Sequence, residues 1–392
     1  MHRIQFHYTL TQVKGGSPAL VRNPLIDLLQ AVSVHGSISS AARALGLSYR
    51  HVWGELKRWE NELGNGLVVW EKGQPARLTE FGDKLMWAER QAQVRLAPQI
   101  EALRSELERA FAVAFDASAH VVTLYASHDD GLAALREYAL AAAQDQQAQH
   151  DAQGALHMDI RFCGSVDAIR ALNEGRCEMA GFHTLTHPAP GTLAERIYKP
   201  LLKPGQHKII GFAQRTQGLM VAPSNPLGLS TLHDQQRRGA RYVNRAHGTG
   251  TRVLLDDLLA QAGLHADAIQ GYERTEPSHA AVAHAIAAGH ADAGLGIEVA
   301  AHRQGLDFVP LVQENYHLVC LKSALEQPAT QALLSLLRSA QWQQRLGTMA
   351  GYRSARSGEI LSLREVLPWW QFTGRKTGSR RTDGRTAVAR SS

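Results

Sequence analysis

Apolar residues recur along this chain at several spacings, and each spacing predicts a different kind of element. Leu25, Leu28, Leu29 and Val32 form one stripe of a helix over about Pro24 to His35, with Pro24 in the first turn, where its missing N–H is tolerated. In SISSAARALGLSYRHVWGELKRWENEL, residues 37–63, the small residues Ala41, Ala42 and Ala44 and the anchor Leu45 lead into Gly46. Val52, Leu56, Trp59 and Leu63 then fall on one helical face. The pattern predicts a short helix capped by Ser37 or Ser39, a glycine bend, and a second helix capped by Ser48. LVVWE (67–71) and ARLTE (76–80) flank the turn Lys72-Gly73-Gln74-Pro75 and read as a β-hairpin wing. From Thr79 to about Phe115, Leu85, Ala88, Ala92, Leu96, Leu103, Leu107 and Phe111 make a seam with heptad character, and Pro98 is expected to kink or split that helix. A further strand is expected at residues 3–13.

A different rhythm starts at His120. VVTLYAS, LHMDIRFCGS, CEMAGFHTL, KIIGFAQ, GLMVAPS, RYVNR, AIQGYE, ADAGLGI and LDFVPLVQENYHLVCL read as strands. Helices separate many of them: one through Leu132–Ala143, then VDAIRALNEG, TRVLLDDLLAQAG and SHAAVAHAIAAG. Alternating strands and helices imply parallel α/β sheets. The expected organisation is α/β: a winged helix-turn-helix at 1–82, a linker helix at 83–118, and a two-lobed domain at 119–372. Its lobes are 119–215 plus 307–372, and 216–306.

Composition narrows the function classes. The 392 residues are 44% hydrophobic and 6% aromatic, enough to bury a sizeable core. There is no run of about 18 apolar residues of the kind a membrane span requires. MHRIQFHYTL has no apolar signal core, so a cytoplasmic protein is expected. Cys163, Cys177 and Cys320 are too scattered for a disulfide framework or a zinc site. The net charge of +6 is mostly the tail, since residues 373–392 hold six Lys/Arg and one Asp. That tail reads as disordered, and the rest is nearly neutral.

Candidate chemistry lies at two places. A helix–glycine–helix with exposed basic residues is the arrangement by which a helix-turn-helix reads DNA, although an ordinary helical hairpin has the same outline. Ser39, Ser48, Tyr49, Arg50 and His51 would lie near the groove, with Lys57 and Arg58 further along and Lys72 and Arg77 in the wing. The second place is the carboxyl ends of the strands, where helix N-termini point. Ser127-His128-Asp129, Ser165, and the run Asn244-Arg245-Ala246-His247-Gly248-Thr249-Gly250-Thr251-Arg252 occupy such positions, and His183 ends another strand. Hydroxyls, free N–H groups and glycines there fit a small anion, with Arg245 or Arg252 as the countercharge. Ser165, Thr249 and Thr251 are equally readable as helix caps, and His183 as a core histidine. No HExxH, GxSxG or complete P-loop occurs, so neither an enzyme nor a resident cofactor is expected.

The segment GSISSAARALGLSYRHVWGELKRWENELGNGLVVWEKGQPARLTEFG resembles the winged helix-turn-helix of ModE-type molybdate-responsive regulators, related to that of LysR-type regulators. Residues 120–370 resemble a periplasmic-binding-protein-like domain, carried by LYASHDDGL, FCGSVDAIRALNEGRCEMAGFH, VNRAHGTGTRVLLDDLL, HAAVAHAIAAGHADAGLGIEVAA and EILSLREVLPWW. The resemblance implies a one-component transcription regulator, dimeric through its linker helix, that binds double-stranded DNA and clamps a small oxyanion such as molybdate or tungstate. The chain departs from ModE in lacking small-barrel molybdate domains. The alternative is a cytoplasmic small-anion sensor or chaperone in molybdenum cofactor metabolism without specific DNA binding.

Overall fold

The computed structural model describes residues 23–71, 74–115, 119–148 and 156–370. The strand expected at 3–13, Lys72 of the wing turn and the basic tail lie outside the described residues. Helix α1 (Pro24–His35) starts on Asn23, whose side chain accepts from Leu25 N (3.1 Å). α2 (Ile38–Ala44) is capped by Ser37, which accepts from Ser40 N (3.0 Å), while Ser39 is an exposed residue inside the helix. Gly46 takes φ +67°, and α3 (Tyr49–Leu63) is capped by Ser48 on His51 N (3.1 Å). Val52 and Leu56 close with Leu25, Leu29, Val32 and Ala41 into one small core. The hairpin β1 (Val68–Val69) and β2 (Arg77–Leu78) adds Leu67, Val68 and Leu78 to that core.

α4 (Glu80–Phe115) is one helix of 36 residues. The expected split at Pro98 does not occur: that residue is buried, and a single lost N–H does not outweigh packing along the rest of the helix. α4 lies against the two-lobed domain, on β4 (Leu156–Phe162) and on α10 (His279–Ala287). Ala88, Ala92, Leu96, Leu103 and Phe111 of its apolar seam stay exposed.

The first lobe is built on β3 (His120–Ala126), α5 (Asp130–Ala148), β4, α6 (Ser165–Asn173), β5 (Met179–Leu185) and α7 (Leu193–Tyr198). β6 (His207–Val221) then crosses to the second lobe. This holds α8 (Leu232–Arg237), β7 (Asn244–Arg245), α9 (Gly250–Gln261), β8 (Thr275–Glu276), α10, β9 (Ala293–Ile297) and α11 (Glu298–Arg303). β10 (Asp307–Leu321) crosses back, and α12 (Pro328–Arg338), α13 (Ala340–Gly347), β11 (Tyr352–Arg353), β12 (Ile360–Leu361) and α14 (Leu363–Val366) finish the first lobe.

One sheet of order β11-β6-β10-β5-β3-β4 runs through both lobes, with β9 and β12 also on β6. It is mixed, which corrects the expectation of parallel sheets. β4, β3 and β5 are parallel, whereas β10 is antiparallel to both β5 and β6, and β9 is antiparallel to β6. The reason is the return path: β6 and β10 are the two crossings, one leaving and one re-entering, so they run in opposite senses. KIIGFAQ and GLMVAPS, read as two strands, are the two halves of β6. AIQGYE is not a strand. It forms a 3-10 turn at Ala266–Ala268 followed by Gly271 at φ +89°, where a Cβ would lie 2.3 Å from the Tyr242 carbonyl. The strand falls two residues later, as β8 parallel to β7. Separate apolar clusters fill each lobe, and a larger one, including Leu124, Phe212, Val282, Leu318 and Trp342, runs through the crossing region. Among the described residues no helix is long and apolar enough to cross a membrane.

Candidate functional site

Four helices, α5, α6, α9 and α10, begin at the line where the lobes meet. Their first N–H groups have no partner within the helix and carry partial positive charge. Each entry is shaped by a local signal. Asp129 accepts from Leu132 N (3.0 Å) and starts α5. Gly164 opens α6 without a side-chain cap. Thr249 caps α9 on Arg252 N (3.4 Å) and also donates to the Ala246 carbonyl (2.8 Å), and Ser278 caps α10 on Ala281 N (3.0 Å).

The side chains gathered there are buried and polar. Ser127 Oγ lies 3.3 Å from Ser165 Oγ, which lies 3.5 Å from His183 Nδ1. From the second lobe, Thr251 Oγ1 lies 3.5 Å from His279 Nε2 and accepts from Gln217 Nε2 (3.1 Å). Gln217 donates also to Glu314 Oε1 (3.0 Å). Glu314 and Asp129 both accept from Arg215, and Asp129 accepts from the Tyr352 hydroxyl (2.6 Å). These two carboxylates hold the Arg215 guanidinium charged, well above its ordinary value, against the burial that opposes it.

Arg245 is different. It is 1% exposed, and its Nε and Nη1 have no hydrogen-bond partner. Burial first, then the charge of Arg215, lowers its pKa to about 9, only partly offset by Asp129. Burial also holds His183 and His279 neutral, with Arg245 and Arg215 adding to the effect. His183 Nε2 and His279 Nδ1 are likewise without partners. An uncompensated guanidinium beside hydroxyls, neutral imidazoles and helix N-termini is a receptor for negative charge.

The two lobes touch through glycine. A Cβ on Gly164 would lie 2.7 Å from the Gly248 carbonyl, and one on Gly250 would lie 2.6 Å from His183 Nδ1. The space left between the lobes is small.

The structure thus brings Ser127, Ser165, His183, Arg245, Gly248, Gly250 and Thr251 to one place. It puts other expected ligands elsewhere. His128 turns outward, with Nε2 3.3 Å from Glu101 Oε2 of α4. Asp129 is consumed by Arg215 and Tyr352. Asn244 is structural, accepting from Arg245 N (2.9 Å) and donating to the Tyr272 carbonyl (3.2 Å), and Thr249 is a cap. Arg252 stacks 3.8 Å over the Tyr272 ring and lies 3.5 Å from Asp256, whereas Arg245 keeps two nitrogens without a partner. Sequence reasoning passed over His279, Gln217, Arg215 and Glu314. The signal was present as charged or amide residues inside apolar strand runs and a histidine next to a helix cap.

On the helix-turn-helix, Ser39, Ser48, Tyr49, Arg50, His51 and Arg58 are exposed. Arg58 pairs with Glu55 (2.6 Å), Lys57 with Glu60 (2.7 Å), and Arg77 lies 3.8 Å from Glu71. Arg50 makes no ion pair among the described residues. Lys57 also sits 4.5 Å over Trp70 of the wing.

Residues 25–83 match the model of the bacterial regulatory helix-turn-helix protein, lysR family, and residues 146–338 match the PBP superfamily domain. The chain is 30% identical over 201 residues to the uncharacterized protein YvgK of Bacillus subtilis (strain 168), covering 51% of this chain and 64% of that protein. It is 32% identical over 111 residues to an uncharacterized protein encoded 5' of a 2Fe-2S ferredoxin gene in Clostridium pasteurianum, covering 28% of this chain and 98% of that one. The chain therefore spans just under two thirds of the first relative's length. Among solved structures it is similar to a cysteine mutant of Corynebacterium glutamicum OxyR (15% identical, TM-score 0.38, covering 81% and 91% of the two chains). It is also similar to full-length BenM (16% identical, TM-score 0.39, covering 82% and 95%).

Proposed function

Because the chain joins a lysR-family helix-turn-helix to a PBP superfamily domain, we propose that it is a DNA-binding transcriptional regulator whose lobes close on a small oxyanion. The observation that carries this reading is Arg245, a buried guanidinium lacking partners on two of its nitrogens. Ser127 and Ser165 from one lobe and Thr251 from the other supply neutral donors, so the ion is gripped from both sides. The glycine contacts between the lobes favour an ion of few atoms over a large effector, since any larger occupant would hold Gly164 off Gly248. Molybdate and tungstate are the first ions to try, on the resemblance of the N-terminal domain to ModE-type regulators.

α3 reads the major groove, with Arg50 as the base-reading cation and the hairpin wing beside it. The exposed seam of α4 takes a second copy, and closure of the lobes alters the spacing of two helix-turn-helix units. The protein works in the cytoplasm, where its DNA is.

Thermal unfolding in chloride buffer, with molybdate, tungstate, sulfate, phosphate or small carboxylates added one at a time, tests the ligand. A bound ion at a hundred times its Kd adds about 2.7 kcal/mol to stability, a clear rise in Tm. The Ser127→Ala/Thr251→Val double variant is expected to lose that rise. A double variant that responds like the wild type, or a wild type that responds to none of these anions, overturns the cleft reading. Salt-dependent, sequence-selective gel shifts test the DNA arm separately.

A further inference from the structure

Ion pairs, a ring contact and a buried hydrogen bond fasten α4 to both lobes of its own chain. On the second lobe, Trp87 stands edge-on against His290 with ring centroids 4.6 Å apart, and Arg95 makes two hydrogen bonds to Glu276 (3.0 and 2.6 Å). On the first, Glu101 meets His128 (3.3 Å), the Ser105 hydroxyl accepts from Arg136 Nη1 (2.6 Å), and Arg109 lies 3.0 Å from Asp159. The places of attachment matter more than their number. Glu276 on β8 is the register partner of Arg245 on β7, and His128 directly follows Ser127. The helix is therefore tied to the two segments that carry opposite sides of the cleft.

Rotation of one lobe away from the other cannot leave both sets of contacts intact, because Arg95 and Glu101 lie on one continuous helix about 9 Å apart along its axis. The first lobe holds α4 through several polar contacts along the edge strand β4 and the first half of α5, Arg161–Glu106 (3.6 Å) among them. The second holds it through Arg95 and Glu276 as its ion pair. Glu276 is 3% exposed, so losing Arg95 would leave a buried carboxylate uncompensated.

We propose that Arg95–Glu276 is a latch: it keeps the lobes closed while made, and when it breaks the helix stays with the first lobe and the second swings away. The linker helix is then a third wall of the clamp, and the DNA-binding domain at its N-terminal end moves relative to the second lobe whenever the cleft opens. This deepens the closing step proposed above, but the latch itself needs no anion.

The test is a distance across the cleft in the full chain. Spin labels go on Asp167→Cys in α6 and Asp267→Cys in the second lobe, both exposed, in a Cys163→Ser background that leaves only the buried Cys177 and Cys320. Without added anion, the parent is expected to give one short distance. Arg95→Ala or Glu276→Gln is expected to raise the fraction at a longer distance roughly tenfold or more. The exchanged pair Arg95→Glu/Glu276→Arg is expected to restore the short distance. Circular dichroism checks that each variant is folded, and Glu276→Gln, which keeps shape, serves if Arg95→Ala is not.

Single variants that keep the parent distribution overturn the latch, as does an exchanged pair that stays open. Adding molybdate separates the two readings. Variants that open but that none of the anions closes leave the latch standing and remove the anion. An Arg95→Ala variant that stays shut like the parent, while molybdate still raises the Tm of both, removes the latch and leaves the anion.

Discussion

Arg245→Met should make the anion-free protein more stable and deaf to its ligand, two effects of opposite sign from one substitution. Methionine keeps the length of the stem and removes the guanidinium, whose Nε and Nη1 are bonded to nothing. The fall of its pKa from 12.5 to about 9, caused mainly by burial, corresponds to roughly 5 kcal/mol against the charged form as an upper limit. Relaxation brings the recoverable part to about 1–4 kcal/mol. The sign follows from the direction. This is a base with a depressed folded pKa, so the folded state carries the full penalty at neutral pH, where both states are charged. The penalty fades only as pH rises past about 9. For a domain of this size each kcal/mol moves Tm by about 2–4 °C, so Arg245→Met is expected to melt several degrees higher in chloride buffer. Molybdate, which should stabilise the wild type, is expected to leave the variant unmoved. Differential scanning calorimetry with and without the anion reads both numbers. A variant that melts lower than wild type without anion, or keeps the anion response, would refute the argument, because Arg245 would then be a structural cation with partners of its own.

Gly164→Ala places a methyl group 2.7 Å from the Gly248 carbonyl, so the lobes are held apart and anion affinity measured by calorimetric titration should fall tenfold or more, by roughly the cost of populating the open form. Arg50→Ala should cost about 1–3 kcal/mol in specific DNA binding and relax sequence preference in a gel shift, whereas Arg58→Ala, already paired with Glu55 on the surface, should cost under about 1 kcal/mol. His183, His279 and His317 are kept neutral chiefly by burial, His317 at about 3. The unfolded chain takes up protons near 6.5 that the folded chain refuses, so stability is intact above that pH and is lost as pH falls from 6.5 toward 3. Each such group adds up to about 1.4 kcal/mol per pH unit to the slope, and His317→Gln should flatten the acid limb of a Tm-against-pH profile by that share. Leu103, 57% exposed on α4, is expected to lie in the dimer seam, so Leu103→Glu should shift the protein to monomer in light scattering, and an unchanged mass would place the interface elsewhere.

The elements most legible in the sequence are those with local causes. Pro24, Ser48 and the helical spacing of Val52 and Leu56 mark helix starts and faces within a few residues of where they act. Gly46 marks a bend by its own φ. Long-range causes left weaker traces. β6 looks like two short strands because a crossing strand is apolar in both lobes and polar at the hinge, whereas β10 reads as one. Those hinge residues, Arg215, Gln217 and Glu314, complete the buried network, and only their partners, which are distant in sequence, distinguish them from the surface positions of a half-buried strand. The cleft residues that were legible, Ser127, Ser165, His183, Arg245 and Thr251, all sit where a strand ends or a helix begins, a position fixed by topology. Choosing between Arg245 and Arg252 was not possible from sequence, because Tyr272, which takes Arg252 away from the cleft, lies 20 residues further on and joins it only in the folded lobe.

The linker helix inverts the ordinary reading of an amphipathic helix. Its apolar positions Leu96, Leu103 and Phe111 are exposed, while its polar positions Arg95, Glu101, Ser105 and Arg109 bond to groups of the two-lobed domain. Spacing alone assigns the polar stripe to solvent, since charged residues are rarely buried without partners. Those partners come from β8, β4 and the entry to α5. Burial works against the charge of Glu101, but His128, Arg136 and Arg104 outweigh it and hold its carboxyl below the ordinary value. The division suits a helix that must keep one contact and release another. An apolar seam has no substitute in water, so a seam closed on a second copy stays closed. An ion pair such as Arg95–Glu276 can exchange its partner for water once the second lobe turns out and exposes the Glu276 carboxylate, and an anion that binds only the closed cleft pulls the balance back.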